Sequence, residues 1–499
     1  MTSLPMISEA EFGALAAQGY NRIPLVSSAF ADLETPLSLY LKLCGTEARG
    51  RHSFLLESVV GGERFGRYSY IGLPARTVLS CRGHQTEVSR DGVVIERDAG
   101  NPLAFIEAYQ QRFKVALRPG LPRFCGGLAG YFGYDAVRYI EPKLARTVLP
   151  GGLDTPDLML LQCEELAVID NLSGRLYLIV YADPAVADAY AQATARLAEL
   201  AERLTRSVAA PPVRPSAAAP VVRSFAKADY IAAVLRAKDY IAAGDMMQVQ
   251  VGQRLAKRYT ASPLSLYRAL RALNPSPYMY FYDMGDFQIV GASPEILVRQ
   301  EMTPAGSKVT IRPLAGTRPR GSTPELDVAL EAELRADPKE RAEHLMLIDL
   351  ARNDIGRIAK TGSVAVTDAF AVERYSHVMH IVSNVEGLLK DGIGNFDVLK
   401  ATFPAGTLTG APKVRAMEII DELEPVKRGL YGGAVGCLSF AGDMDLAIAI
   451  RTGIIKDGTL YVQAAAGVVA DSVPELEWQE TEAKARALIR AAELVEEGF

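Results

Sequence analysis

Hydrophobic and polar positions change rhythm several times along the chain. Leu197, Leu200 and Leu204 recur at helical spacing within 184–206, which predicts an amphipathic helix. Just before it, ELAVID (165–170) and RLYLIVYAD (175–183) are short apolar runs separated by NLSG, the pattern of a hairpin turned at 171–174. Periodicity then stops over 207–222, SVAAPPVRPSAAAPVV, where Pro and Ala predict a semi-rigid linker. Beyond it, 227–243 reads as a helix stopped by Gly244, and MQVQVGQRL, FQIVGASPEILVRQ, VTIRPLAGT, MDLAIAIRTGIIKDG and TLYVQAAAGVV read as strands among further helices. Lys456-Asp457-Gly458 joins the last two directly. Hairpins outnumber strand-helix-strand units, so the predicted class is α+β with antiparallel sheet rather than a doubly wound parallel one. The expected division is an N-terminal part at 1–206, the linker at 207–222 and a second part at 223–499.

Composition narrows the classes. With 499 residues, 49% of them hydrophobic, the chain can bury a sizeable core. A net charge of -5 provides no positive field for a phosphate backbone, which disfavours nucleic acid as a partner. No run approaches the ~18 apolar residues of a membrane span, and MTSLPMISEAEFG lacks the marks of a signal peptide, so a cytoplasmic protein off the membrane is expected. Cys44, Cys81, Cys125, Cys163 and Cys437 stand singly, with no C-x-x-C pair and no G-x-C-x-G setting; they read as reduced thiols, neither metal knuckle nor nucleophile.

Four features carry candidate chemistry. Asp337 and Pro338 open a helix that puts Glu340 and Glu343 on one face, and a helix from Pro474 repeats the spacing with Glu477 and Glu480. Four carboxylates from two helices suit a hard divalent ion, although E-x-x-E is also the ordinary pattern of a solvated helix face. In MDLAIAIRT, strand alternation puts Ala447, Ala449 and Arg451 on one face, with room for a ligand carboxylate at Arg451 and at the bare strand holding Ala465 and Gly467. An internal ion pair for Arg451 fits the same pattern. Among five histidines, His377 and His380 are too close for both to enter one site without a turn between them. The turn-rich FPAGTLTGAPK frees backbone N–H groups beside Thr407, as a binding loop or an ordinary one.

GASPEILV, RPLAGTRPRG, DPKERAEHLMLIDLARNDIGRI, YSHVMHIVSNVEG, ATFPAGTLTGAPKVRAMEIIDELEP, RGLYGGAVG, GDMDLAIAIRT and VQAAAGVVADSVPELEWQETEAKARA occur in this order after the linker. Together they resemble the chorismate-utilising enzymes, most closely the anthranilate synthase component I family. The resemblance implies two large, mainly antiparallel sheets packed together with helices outside, and a bound Mg²⁺. It implies Glu343 and Glu480 as direct Mg²⁺ ligands with Glu340 and Glu477 assisting directly or through water. Arg451 and Tyr431 would grip the enolpyruvyl carboxylate beside Ala466 and Gly467. Thr407 would contact the ring-carboxylate end, and Gly316 and Thr317 would belong to the same pocket. Glu295 matches the general acid for the departing 4-hydroxyl, and His380 the histidine implicated in pyruvate loss. A carboxylic acid suits that role only with a raised pKa.

Two positions separate the subfamilies by chemistry. Isochorismate and salicylate synthases carry a water-activating lysine where Gln248 stands, and aminodeoxychorismate synthases usually carry a nucleophilic lysine where Ala315 stands. The implied reaction is amination of chorismate at C2 to anthranilate, ahead of an aminodeoxyisochorismate or aminodeoxychorismate product; from another class, a non-catalytic tryptophan-binding regulatory protein is the rival. Leu56, Glu57 and Ser58, with Asn274, Pro275, Ser276, Pro277, Tyr278 and Met279, resemble the two segments that enclose tryptophan in feedback-inhibited members. Ala465 departs from the family's usual glycine. Because no cysteine here is set as a nucleophile, the resemblance further implies a separate glutamine amidotransferase subunit, component II, in a heterotetramer of two large and two small subunits.

Overall fold

Strand alternation sends neighbouring side chains to opposite sides of each sheet. In Ser53–Glu57, Phe54 and Leu55 enter different cores, and in Tyr278–Asp283 the rings of Tyr280 and Tyr282 point away from Met279 and Phe281. The computed structural model describes residues 5–45, 51–58, 66–146, 150–213, 215, 219–375 and 378–498. Among these are two 12-stranded sheets, and the pairings between their strands are antiparallel.

The first sheet runs from Ile23–Phe30 through Arg175–Ala182, Glu165–Asp170, Tyr68–Gly72, Ser53–Glu57, Tyr278–Asp283, Phe287–Ser293, Thr452–Lys456, Thr459–Val468 and Gln248–Arg258 to Val221–Arg223. The second runs from Leu314–Pro319 through Val378–Leu388, Gly306–Ile311, Ile296–Thr303, Met444–Ile448, Ala434–Ser439, Gly127–Phe132, Leu158–Cys163, Thr77–Arg82 and Gln85–Arg90 to Val93–Asp98. Between the sheets lies a core that includes Phe54, Tyr131, Leu161, Tyr282, Ile289 and Ile454. Helices Pro36–Cys44, Ala189–Leu204, Pro263–Leu273 and Pro474–Glu497 cover the outer face of the first sheet, and Pro102–Gln110, Pro338–Gly356 and Asn395–Thr402 that of the second. The expected α+β class and pair of packed antiparallel sheets are therefore present. So is the hairpin at 171–174, and the helix within 184–206 is observed as Ala189–Leu204.

Three apolar runs behave differently from their pattern; VTIRPLAGT breaks at Arg312 and Pro313 into Gly306–Ile311 and Leu314–Pro319, both paired to Val378–Leu388. FQIVGASPEILVRQ is two strands, Phe287–Ser293 in the first sheet and Ile296–Thr303 in the second, with the chain crossing at Pro294 and Glu295. MDLAIAIRTGIIK likewise divides into Met444–Ile448 in the second sheet and Thr452–Lys456 in the first. Arg451 therefore is not the next alternating residue of a strand; it lies in the crossing, at φ +51°. Period-2 hydrophobicity cannot register such a change of sheet, because both halves keep their alternation. Both sheets also draw strands from either side of the linker, and the linker's end, Val221–Arg223, is itself an edge strand on Gln248–Arg258.

The inter-sheet layer yields a direct test. Phe54 is 1% exposed and lies 5.3 Å, ring centroid to centroid, from Tyr282. Phe54→Ala should destabilise the protein by roughly 3–5 kcal/mol, seen as a lower urea midpoint; an unchanged midpoint would contradict this packing.

Candidate functional site

The two crossings lie side by side and bond to each other. Ile448 N–H donates to the Glu295 carbonyl at 3.0 Å, Ser293 Oγ–H donates to the Ile448 carbonyl at 2.7 Å, and Ala292 N–H donates to the Arg451 carbonyl at 3.1 Å. A third segment joins them: Gly432 N–H donates to the Ala449 carbonyl and Ala449 N–H to the Gly433 carbonyl, which brings Tyr431 to the junction. Glu295 and Arg451 are thus held by the backbone of two sheets.

Glu295 is buried, and its Oε1 accepts a 3.2 Å hydrogen bond from Thr407 Oγ1 on the 3₁₀ turn Gly406–Leu408. Burial pushes its pKa up to about 8, outweighing Thr407, Arg451 and Lys484, each of which favours the charged form. The carboxyl thus keeps its proton at neutral pH. Burial also draws the Arg451 guanidinium below its usual range, opposed by Tyr431, Glu480 and Glu295. Among the described residues Arg451 has no ion-pair partner, so of the two readings its pattern allowed, the internal ion pair is absent. Tyr431 is buried, and its phenol is pushed up to about 12, mainly by burial.

His380 lies on Val378–Leu388, and its Nδ1 is 2.9 Å from the Gly316 carbonyl and 3.1 Å from Thr317 Oγ1. A carbonyl only accepts, so the neutral ring carries its proton on Nδ1 and leaves Nε2 as a lone pair. Burial lowers the His380 pKa and favours that neutral form. Gly316 is at φ +67°, and a Cβ there would come within 3.1 Å of Leu334 Cδ1 and 3.2 Å of Glu340 Oε2, so only glycine fits without strain. His377 falls outside the described residues.

The two acidic helices form as expected. Asp337 caps Pro338–Gly356 by accepting from the Lys339 and Glu340 amides, and Pro474 opens Pro474–Glu497. Glu340, Glu343 and Glu477 are half-buried, whereas Glu480 is exposed and pairs with Lys484 Nζ at 2.6 Å. Arg318 lies 3.5 Å from Glu340. Burial first, then the charges of Glu340 and Glu480, raise the Glu343 pKa; burial and Glu480 raise that of Glu477. The carboxylates thus feel one another across the gap between the helices. Among the described residues no three acidic, His or Cys side chains are drawn together closely enough to coordinate an ion as they stand.

The remaining wall is the strand pair Gln248–Arg258 and Thr459–Val468, where Gln250 faces Gly467. A Cβ on Gly467 would meet Gln248 Nε2 at 2.9 Å and Gln250 Nε2 at 3.0 Å, so the absent side chain makes room for both carboxamides. Ala466 is fully buried in the same strand. Lys484 Nζ donates to the Ala465 carbonyl at 2.9 Å while pairing with Glu480. Sequence reasoning passed over Lys484, although its i+4 spacing from Glu480 marks it as that carboxylate's partner.

A second cavity lies away from these groups. Leu56, Glu57, Ser58, Pro277, Tyr278 and Met279 line a space of about 280 Å³ between the sheets. Asn274, Pro275 and Ser276 do not line it: Asn274 caps Pro263–Leu273 through its N–H to the Leu270 carbonyl at 2.8 Å, and Ser276 Oγ–H donates to the Asn274 carbonyl at 3.2 Å. Glu57 already accepts from Arg271 Nε at 2.7 Å and from the Tyr267 hydroxyl. Arg299, Tyr278 and Asp445 are linked at the cavity wall, with both Arg299 and Tyr278 donating to Asp445.

Residues 60–490 match the model of the chorismate binding enzyme family. The chain belongs to the chorismate-binding enzymes. Within the family it is 59% identical over 497 residues to anthranilate synthase component 1 of Neisseria meningitidis serogroup A, covering 99% of this chain and 100% of that one. It is 56% identical to the Pseudomonas aeruginosa protein of the same description, covering 98% and 99%. Among solved structures it is similar to anthranilate synthase component I from Streptococcus pneumoniae TIGR4, with TM-score 0.76, 37% identity and coverage of 93% and 99%. The menaquinone-specific isochorismate synthase from Escherichia coli, 18% identical with TM-score 0.69 over 97% and 98%, shares the fold. This chorismate-binding enzyme is thus of the large-subunit type. Among the described residues no helix is long and apolar enough to cross a membrane.

The buried carboxyl predicts a pH signature in stability. Because the folded pKa of Glu295 is about 8 against an ordinary 4.5, the unfolded chain releases this proton first as pH rises. Relative to Glu295→Gln, the unsubstituted protein should lose stability between those two values and hold a constant deficit above them. Melting temperatures of both proteins across that range check it; parallel curves would mean that Glu295 ionises normally.

Proposed function

We propose that the protein converts chorismate and ammonia to anthranilate, pyruvate and water, the first committed step of tryptophan biosynthesis, in the cytoplasm. The observation that carries this reading is the junction itself: a carboxyl that holds its proton beside Thr407, next to an arginine with no ion-pair partner among the described residues. Arg451 and Tyr431 would bind the enolpyruvyl carboxylate, aided by backbone at Ala466 and Gly467, and Thr407 the ring-carboxylate end, with Gly316 and Thr317 in the same pocket. Glu295 would protonate the departing 4-hydroxyl as ammonia adds at C2. In the second step His380, neutral with Nε2 unprotonated, would take the C2 proton while the C3–O bond breaks and the enolpyruvate leaves as pyruvate.

Glu340, Glu343, Glu477 and Glu480 would hold Mg²⁺. The residues fit: burial and mutual repulsion raise Glu343 and Glu477, and Lys484 is paired to only one of the four. When bound, the ion would neutralise the ring carboxylate. Gln248 and Ala315 provide neither a water-activating nor a nucleophilic amine, which favours ammonia as the nucleophile. The ammonia would come from glutamine through a separate component II subunit, in a two-plus-two assembly. The cavity at Leu56–Ser58 and Pro277–Met279 would take tryptophan, whose differential affinity for two states would lower activity. In this reading 1–206 is the regulatory part and 223–499 the catalytic part.

Arg451→Ala should raise the KM for chorismate roughly 10- to 150-fold, since a charge-assisted pair contributes about 1.5–3 kcal/mol; an unchanged KM would remove Arg451 from the substrate site. Assays with chorismate and Mg²⁺ should show turnover with ammonium salts and none with glutamine. Tryptophan should suppress that turnover in the unsubstituted protein and much less in Ser58→Ala. Accumulation of an aminated intermediate without pyruvate would overturn the assigned product.

A further inference from the structure

Beside the groups assigned to substrate lies an ion pair whose two side chains are each only 1% exposed, Arg428 with Glu424. Buried charges persist when every donor and acceptor is matched, and an apolar pair of similar volume is often as stable, so such a pair calls for a reason beyond stability. Arg428 Nε donates to Glu424 Oε2 at 2.9 Å and Nη2 to Oε1 at 2.6 Å. Its other donors reach two separate pieces of backbone. Nη1–H donates to the Leu408 carbonyl at 2.6 Å, one residue past Thr407, and Nη2–H to the Gln250 carbonyl at 3.2 Å, on the strand residue opposite Gly467. Glu424 Oε1 also accepts from Gly252 N–H at 2.8 Å, and Gln250 N–H donates to the Thr409 carbonyl at 2.9 Å, which ties that strand to the same loop. Finally, Tyr431 N–H donates to the Arg428 carbonyl at 3.2 Å, and the guanidinium carbon lies 5.7 Å from the centre of the Tyr431 ring.

One planar fork therefore touches three walls that sequence separates widely: the Thr407 turn, the strand facing Gly467, and Tyr431. Resting on the substrate assignment above, we infer that Arg428, oriented by Glu424, is a positioning residue that fixes the spacing between the groups receiving the two carboxylates of the substrate. Lysine cannot replace it. A single ammonium can still pair with Glu424, but it lacks the planar fork that reaches both carbonyls at once.

The test uses the full chain with Arg428→Lys, Glu424→Gln and, in parallel, Arg451→Ala. Folding is read from near-UV circular dichroism and melting temperature, and steady-state kinetics from chorismate and ammonia titrations. In folded Arg428→Lys the KM for chorismate should rise roughly 10- to 100-fold, the order expected when one charge-assisted contact to the substrate is lost. The KM for ammonia should stay within about twofold, a split that loss of folded protein alone would not produce. Should Arg428→Lys fail to fold, Glu424→Gln decides, since it keeps an acceptor for Gly252 while loosening the fork. A folded variant with unaltered chorismate KM, while Arg451→Ala raises it, overturns the positioning role alone. An unaltered KM in Arg451→Ala overturns the substrate assignment and this inference with it.

Discussion

The structure depends on two chain crossings that pass between the sheets in contact. Leaving a sheet strips residues of their ladder partners, and buried N–H and C=O groups must then be paired elsewhere. Here the crossings satisfy each other: Glu295 with Ile448, Ser293 with Ile448, and Ala292 with Arg451. Gly432 and Gly433 complete the set through Ala449. The polar junction this creates in an apolar interior is where Glu295, Arg451 and Tyr431 meet. Because Glu295 and Arg451 are anchored by strands on both sides, and Tyr431 by the bonds of Gly432 and Gly433 to Ala449, their spacing is fixed by sheet geometry rather than by a mobile loop.

The same burial sets the charge states. It holds a proton on Glu295 and favours neutral His380, and it leaves Arg451 with little solvent to share its charge. At the other edge, Glu343 and Glu477 are raised by burial and by neighbouring carboxylates. On the proposed assignment these imbalances are complementary: a dicarboxylate satisfies the arginine at one end and, with a dication, the acidic helices at the other.

The second cavity shares strands with this junction. Arg299 lies four residues beyond Glu295 on Ile296–Thr303, and Asp445 six residues before Arg451, on Met444–Ile448. Tyr278, from one of the segments proposed to enclose tryptophan, donates to Asp445 at 3.0 Å, and Arg299 Nη2 donates to the same carboxylate at 2.7 Å. A change at Tyr278 therefore meets side chains on the two strands that continue into the site. Short polar links inside close-packed cores transmit displacement because their surroundings have few alternative arrangements.

Local pattern was enough for the antiparallel class, the hairpin at 171–174, and the two proline-opened helices that present Glu340, Glu343, Glu477 and Glu480. Those features depend on neighbours within a few residues, and motif order added the family. Pattern was blind wherever a choice is made in three dimensions. It read 287–300 and 444–458 as continuous strands, because alternation is the same in both sheets, and so it put Arg451 on a strand face instead of in a crossing. Nor could it find Arg428 and Glu424, which look like an ordinary i,i+4 pair and acquire meaning only from the Leu408 and Gln250 carbonyls. The sequence by itself determined which residues are ionisable, which segments favour strand or helix, and which family's motifs are present. The tertiary structure decided which sheet each strand joins and which charges lose their water, since both depend on long-range packing that no local spacing encodes.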